Sequence, residues 1–362
     1  MKKDKAALVL ADGTAVIGEG FGSDGKSKGE LVFNTSMSGY QEALTDPSYK
    51  YQILMPTYPL IGNYGTIEGQ MESDKVQVEG FVVRELTDQP SHGKLTKNLD
   101  EFLKDYDIPG LQGVDTRFLT RKIRNYGVMN AILQSPFDEK ELEELKEEAA
   151  SMKSISEVDL VDLVSVKKPI RYDVKGAKKN VVLIDCGEKQ SIIKCINDRG
   201  VNVVRMPARA TKDEILGYEP DGVLVSNGPG DPERVDYVIK TIKEVIEERV
   251  PMFGICFGNQ LVSLACGAKT YKLKFGHRGA NQPVKDLKTN KVYITSQNHG
   301  FAVDAETCAG TGLEVTHINL NDQSVEGVKH NDYPVRTVQY HPEAHPGPWD
   351  SYYLFDEFLA SL

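Results

Sequence analysis

Residues 250–266 read VPMFGICFGNQLVSLAC, and this stretch decides the fold of the C-terminal half. Residues 251–254 close a buried strand, and Asn259, Leu261, Val262 and Ala265 fall on a helix-compatible run. Between them lies GICFG, a sharp turn with Cys256 at its apex, Gly254 two residues before it and Gly258 two after. This is the strand-to-helix pattern G-x-nucleophile-x-G with cysteine in the reactive position. A side chain at either flank would crowd so tight a turn, which is why glycine stands there. A helix that starts here points its N-terminal dipole and free N–H groups at the sulfur, which favours thiolate over thiol. A lone cysteine behind a core strand is more often inert packing. The glycine pair and the partners identified below decide for chemistry.

Working outward, the segments VVLIDCG, VNVVRMP, GVLVSNG and VPMFGIC alternate with amphipathic runs at 189–199 and 236–248. Buried apolar strands alternating with helices predict an α/β domain over residues 179–362, a mostly parallel sheet covered on both faces. In such sheets the active site lies at the carboxyl ends of the strands, where Cys256 falls. The N-terminal residues behave differently. From Ala6 to about Glu85 short β-like runs such as ALVLADG, GELVFNTSM and VQVEGFVVRE are broken by glycine. A helix follows at 115–124 with Asp115 as cap and Phe118, Leu119 and Ile123 on one face, and a mostly polar surface helix at 138–152 with Leu142 and Leu145 as its stripe. A β-rich α+β domain is therefore expected over residues 1–152, and a lysine-rich linker over 153–178.

With 362 residues the chain can bury two cores. Its net charge of -10, from 53 acidic against 43 basic residues, argues against nucleic acid or an anionic membrane as partner. The five cysteines are odd in number and form no C-x-x-C pair, so neither a disulfide framework nor a metal site is expected. The apolar run 6–11 behind Lys2, Lys3 and Lys5 is too short for a signal peptide, and no stretch approaches the ~20 apolar residues of a membrane span. A cytoplasmic location is expected. Residues 20–27, GFGSDGKS, spell the phosphate-loop pattern G-x-x-x-x-G-K-S, but β-like LVFN follows where that loop requires a helix. A hairpin turn at Asp24–Gly25 is expected instead, and no ATP site.

A cysteine nucleophile needs a base within reach and a third group to orient the base. Of seven histidines, only His341 follows a core-type strand (VRTVQY) and has a carboxylate two residues on, in YHPEAHP. With the strand ending at Tyr340, His341 emerges at the carboxyl edge beside Cys256, and Glu343 curls back to the imidazole, helped by the fixed φ of Pro342. The constellation is then Cys256–His341–Glu343, the triad logic in a new chain order. The glycine-rich turn SNGPGDP at 226–232 also follows a strand; the N–H groups of Gly230 and Phe257 would make an oxyanion hole, each such donor worth about 3–4 kcal/mol in acyl transfer.

Together GICFGNQ, SNGPGDP, SQNHGF and YHPEAHPGP resemble the class I, triad-type glutamine amidotransferases over residues 179–362. In the N-terminal half, FNTSMSGYQEALTDPSY, YPLIGNYG and DTRFLTRKIR are similar to the small, glutamine-hydrolysing subunit of carbamoyl-phosphate synthase. The resemblance spans nearly the whole chain. It implies that Cys256 forms a γ-glutamyl thioester with His341 as acid/base and Glu343 as its orienter, and that Gly228 stands beside the oxyanion donors Gly230 and Phe257. It further implies that Gln260, Asn298, Gly300 and Phe301 hold the backbone groups of glutamine, and that Ser48 from the N-terminal domain completes the pocket. The expected partner is the large synthetase subunit. ATP and magnesium belong to that subunit, and this chain itself needs no cofactor. The family elbow continues C-L-G-H-Q; here Asn259 replaces the histidine, and the role of that imidazole is open. Other amidotransferase partners, such as those of anthranilate or GMP synthesis, do not account for the long N-terminal half. A scaffold that kept the fold would not need Cys256, His341 and Glu343 intact.

Overall fold

A computed structural model describes residues 4–362, and the chain divides into two compact units between Val158 and Asp159. Lys2 and Lys3, invoked above in the signal-peptide reading, lie outside the described residues.

In the first unit seven strands close a barrel, in the order Lys5–Leu10, Met129–Ser135, Gly25–Asn34, Gln52–Pro56, Gly80–Val82, Pro109–Gln112 and Ala15–Gly22. Closure removes the exposed edges that short, glycine-broken strands would otherwise leave. The expected hairpin at Asp24–Gly25 is corrected by this topology. The chain reverses there, but Ala15–Gly22 pairs with Lys5–Leu10 and Pro109–Gln112, whereas Gly25–Asn34 pairs with Met129–Ser135 and Gln52–Pro56. The turn residues determine the reversal, and the barrel determines the neighbours. Gly25–Asn34 is a strand, so GFGSDGKS does not lead into a helix. The helix Thr116–Tyr126 starts where Asp115 accepts the Phe118 N–H (2.9 Å) and buries Leu119 and Ile123. Phe118 is 47 % exposed, against expectation; it stands roughly 100° around the helix from the Leu119–Ile123 row.

The second unit is built on ten strands in the order Ile170–Tyr172, Asn202–Pro207, Asn180–Asp185, Gly222–Val225, Met252–Ile255, Val335–Val338, Val325–His330, Leu313–Asn319, Thr270–Asp286 and Val292–Val303. The five from Asn202–Pro207 to Val335–Val338 are mutually parallel and the rest antiparallel. The sheet is thus parallel only in its centre, because strand–helix alternation stops after the helix Phe257–Ala265 and the chain continues in antiparallel ribbons. The expected linker is also shorter than 153–178. Ile170–Tyr172 adds an edge strand to Asn202–Pro207, and Val161, in the short helix Val161–Val164, is buried in the second core. The lysines suggested a solvated tether, but the apolar pair Leu160–Val161 anchors the segment.

Period-two alternation sorts the central strands onto two apolar layers. Val182, Ile184, Val204, Val223, Val225 and Met252 pack with the helices Asp236–Glu247 and Phe257–Ala265. Val181, Leu183, Val203, Leu224, Phe253 and Ile255 pack on the other face with the helices Gln190–Asn197 and Tyr353–Ala360.

Candidate active site

Cys256 stands between the strand Met252–Ile255 and the helix Phe257–Ala265, with φ 55° and ψ -102°. This lies outside both the right- and left-handed helical wells, a conformation that costs an L residue of order 1–3 kcal/mol and persists only where its surroundings impose it. The flanking glycines show what imposes it. A Cβ on Gly258 would stand 2.2 Å from the Val225 carbonyl oxygen, and one on Gly254 would stand 2.8 Å from the Gly258 carbonyl. The helix therefore starts in direct backbone contact with the neighbouring strand. Phe257 opens the helix, so its N–H has no carbonyl one turn back to receive it. Gly230, at φ +87°, lies in the turn before a short 3₁₀ segment that Asp231 caps, and Gly228 fits against the Cys186 carbonyl, where a Cβ would come within 2.3 Å.

The strand Val335–Val338 ends two residues earlier than the pattern VRTVQY suggested, and the Cys256 N–H donates to the Val338 carbonyl (2.8 Å). His341 follows, pinned by its own N–H to the Ser296 carbonyl (2.9 Å). Its Nδ1 meets Glu343 Oε1 at 2.6 Å. Glu343 accepts the hydrogen bond of Nδ1–H, which leaves Nε2 as the nitrogen available for proton transfer. Burial works against a charged imidazole here, yet Glu343 and then the Cys256 sulfur outweigh it and hold His341 well above the ordinary histidine value. Burial likewise opposes charge on Glu343, and Lys189, then His341, hold its carboxyl well below the ordinary range.

Lys189 is a residue that the sequence reading missed. Its Nζ lies 3.0 Å from Glu343 Oε1 and donates to the Ala344 carbonyl (2.7 Å), both ends of the pair being buried. The available signal was its place in DCGEKQ, directly after a central parallel strand. Gln339 was missed as well, although it stands two residues before His341. It is wholly buried, and its Nε2 donates to Cys256 Sγ across 3.7 Å.

Among the residues expected to hold glutamine, Gln260 donates from Nε2 to the Phe301 carbonyl (2.9 Å) and to Gln339 Oε1 (3.1 Å), which leaves its amide oxygen as the group to accept from a ligand. The Asn298 carbonyl accepts from the Cys256 thiol (3.6 Å), so this residue borders the sulfur through its backbone. Gly300 and Phe301 continue the same strand, Val292–Val303. Ser48 belongs to the first unit, buried in the 3₁₀ turn Pro47–Tyr49, where Asp46 accepts its N–H (2.9 Å).

His299, in SQNHGF, has both ring nitrogens engaged, Nδ1 with the Phe301 carbonyl (2.8 Å) and Nε2 with Gln297 Oε1 (3.1 Å), and burial, then the charge of His277, lower it well below the ordinary value. His277 is the cross-strand neighbour of His299. Burial lowers His277, but Asp322 at 2.9 Å from Nε2 and Glu326 at 3.6 Å from Nδ1 outweigh it and raise it to about 9. His277, His299 and Glu326 bring ligand-type atoms within 4.8 Å of one another, with His277 paired to both Asp322 and Glu326. The trio reads as an ion-pair cluster that supports the SQNHGF strand.

A strained cysteine at a strand–helix turn, a histidine on a buried glutamate and a helix N-terminus at the sulfur define a site of the cysteine amidotransferase type, and residues 182–361 match the family model Glutamine amidotransferase class-I. Residues 8–133 match a second model, Carbamoyl-phosphate synthase small chain, CPSase domain. Curated relatives agree along the whole chain. The carbamoyl phosphate synthase small chain of Methanocaldococcus jannaschii is 55 % identical over 98 % of both chains. Those of Methanopyrus kandleri and Archaeoglobus fulgidus are each 54 % identical, covering 98 % and 99 % of both chains respectively. The chain belongs to the carbamoyl phosphate synthase small chain family.

Proposed function

We propose that this chain is the glutaminase subunit of a carbamoyl-phosphate synthase. The observation that carries the reading is the His341–Glu343 pair, 2.6 Å apart and buried, beside a cysteine held at φ 55°. His341 Nε2 takes the Cys256 proton, and the sulfur attacks the side-chain amide carbon of L-glutamine. The C=O electron pair moves onto oxygen, where the N–H groups of Phe257 and Gly230 stabilise it, with Gly228 shaping the turn beside them. The C–N bond then breaks, ammonia leaves with the proton from His341, and a γ-glutamyl thioester remains. Water, deprotonated by His341, hydrolyses the thioester to glutamate and frees the sulfur. Glu343 orients His341 and stabilises its charged form throughout.

The substrate's α-ammonium and α-carboxylate would be held by the Gln260 amide oxygen and by Asn298, Gly300 and Phe301, and Ser48 would be a further glutamine-binding residue. Ammonia would pass to a large synthetase subunit that carries ATP and magnesium and makes carbamoyl phosphate from bicarbonate. The product would enter arginine and pyrimidine biosynthesis in the cytoplasm. The two subunits would form a heterodimer, and the chain would hydrolyse glutamine slowly alone and faster with its partner.

The test mixes the purified chain with the large subunit from the same host, ATP and bicarbonate. Glutamine-dependent carbamoyl phosphate that disappears with Cys256→Ala, while ammonia-dependent synthesis continues, supports the assignment. Ammonia-dependent synthesis without any from glutamine refutes the pairing. Glutaminase activity retained in Cys256→Ala refutes the nucleophile.

A further inference from the structure

We infer that Gln339 is a further catalytic residue, an amide donor that holds the Cys256 sulfur in its charged form, and that Asn259 is the positioning residue that aims it. This rests on the reading of Cys256 as nucleophile. A carboxamide can present either end to a sulfur, and the two ends have opposite effects. Here its orientation is determined by the neighbours. Asn259 Nδ2 (2.9 Å) and Gln260 Nε2 (3.1 Å) both donate to Gln339 Oε1, so the oxygen must face them and Nε2 must face Cys256 Sγ, 3.7 Å away. Gln260 is itself oriented by the Phe301 carbonyl, to which its Nε2 also donates (2.9 Å), while Asn259 Oδ1 lies 2.7 Å from the Thr337 hydroxyl, which the Val328 carbonyl shares at 3.1 Å. Gln339, Asn259 and Gln260 are all buried, so bulk water does not compete for these bonds.

The sulfur thus lies between two groups of opposite character. The Asn298 carbonyl, 3.6 Å away, accepts from the thiol. Once the proton has gone to His341, that carbonyl has nothing to accept, and the Gln339 N–H becomes the group that stabilises the anion. This also gives Asn259 a role at the position where the family carries histidine. Either side chain can donate an N–H to Gln339 Oε1, so what the position requires is a donor, and an imidazole as such is dispensable.

The test uses the full chain with its large subunit and reads three things: glutaminase kcat and KM, the second-order rate of Cys256 alkylation by iodoacetamide without glutamine, and the melting temperature. Removing a hydrogen bond to a charged group should lower kcat and the alkylation rate together by roughly 10- to 100-fold in Gln339→Leu. KM should stay within about twofold, because Gln339 touches the sulfur and not the substrate's α-groups. The near-isosteric Gln339→Glu, which sets an oxygen against the sulfur, should be at least as slow. Asn259→Ala should fall between these and wild type, and Asn259→His should restore alkylation to near the wild-type rate. If Gln339→Leu does not fold, Gln339→Glu and the Asn259 pair carry the test. Folded Gln339 variants alkylated at the wild-type rate would overturn the inference, and so would Asn259→His no faster than Asn259→Ala. Glutaminase activity in Cys256→Ala would overturn the underlying nucleophile assignment instead, an outcome the Gln339 variants cannot imitate.

Discussion

The backbone strain at Cys256 can be separated from its chemistry by comparing two variants without the sulfur, Cys256→Ala and Cys256→Gly. Both lose the sulfur, and only the second is released from the L-residue restriction at φ 55°, ψ -102°. Because this conformation lies outside even the left-handed helical well, its cost should approach the upper end of the 1–3 kcal/mol range, about 3 kcal/mol. Two terms oppose the gain. Glycine gives up more chain entropy on folding, about 0.5–1 kcal/mol, and the missing methyl forfeits about 0.8 kcal/mol of apolar burial at a site 1 % exposed. The balance is about 1.5 kcal/mol in favour of glycine. For a cooperative unit of this size that raises the melting temperature by roughly 3–6 °C. Calorimetry of the two purified variants under identical conditions measures the difference directly. A glycine variant that melts at or below the alanine variant would refute the claim that the fold forces Cys256 into a strained conformation.

Three further outcomes follow from the same geometry. Gly258→Ala puts a Cβ 2.2 Å from the Val225 carbonyl oxygen, so it should cost about 1–3 kcal/mol in urea unfolding and abolish glutaminase activity by displacing the helix start; an active variant of unchanged stability contradicts this. Lys189→Met leaves the Glu343 carboxylate buried with His341 as its remaining partner, which should destabilise by about 3–5 kcal/mol, and Glu343→Gln in the same chain should recover part of the loss. Additive losses would exclude the pairing. For His277, the folded value of about 9 lies above the ordinary 6.5, so its stabilisation is complete below 6.5 and is lost as pH rises through about 9. That difference is at most about 3 kcal/mol, and wild type should lose that much more than His277→Gln between pH 6 and pH 10 in urea titrations, with equal losses counting against the ion-pair cluster.

What could be read from the sequence was whatever depends on local spacing. Gly254, Cys256 and Gly258 reveal the elbow because the turn's sterics act within five residues, and His341 and Glu343 reveal each other at i and i+2. The two apolar layers were legible through the alternation of strands and helices as far as Ala265. Beyond it the antiparallel ribbons gave no helical period, and the sheet was overestimated as mostly parallel. Lys189 and Gln339 were invisible for a different reason. Lys189 meets Glu343 from 154 positions away and Gln339 meets Cys256 from 83, contacts made by the order of strands in the sheet and not by any spacing along the chain.

Lys189 also shows why a buried triad of this kind needs a fourth charge. A carboxylate with no exposure tends to take up a proton, and a protonated Glu343 would no longer stabilise the charged form of His341. Lys189 prevents this by favouring the charge on Glu343. The same ammonium disfavours a proton on His341, opposing the stabilisation that Glu343 and the sulfur supply there. One side chain therefore keeps the orienting carboxylate ionised and makes the imidazole readier to release its proton. In the proposed reaction the first effect would serve the removal of the Cys256 proton. The second would serve the next step, in which the same imidazole would protonate departing ammonia. A histidine held only by Glu343 would accept the proton readily and surrender it reluctantly.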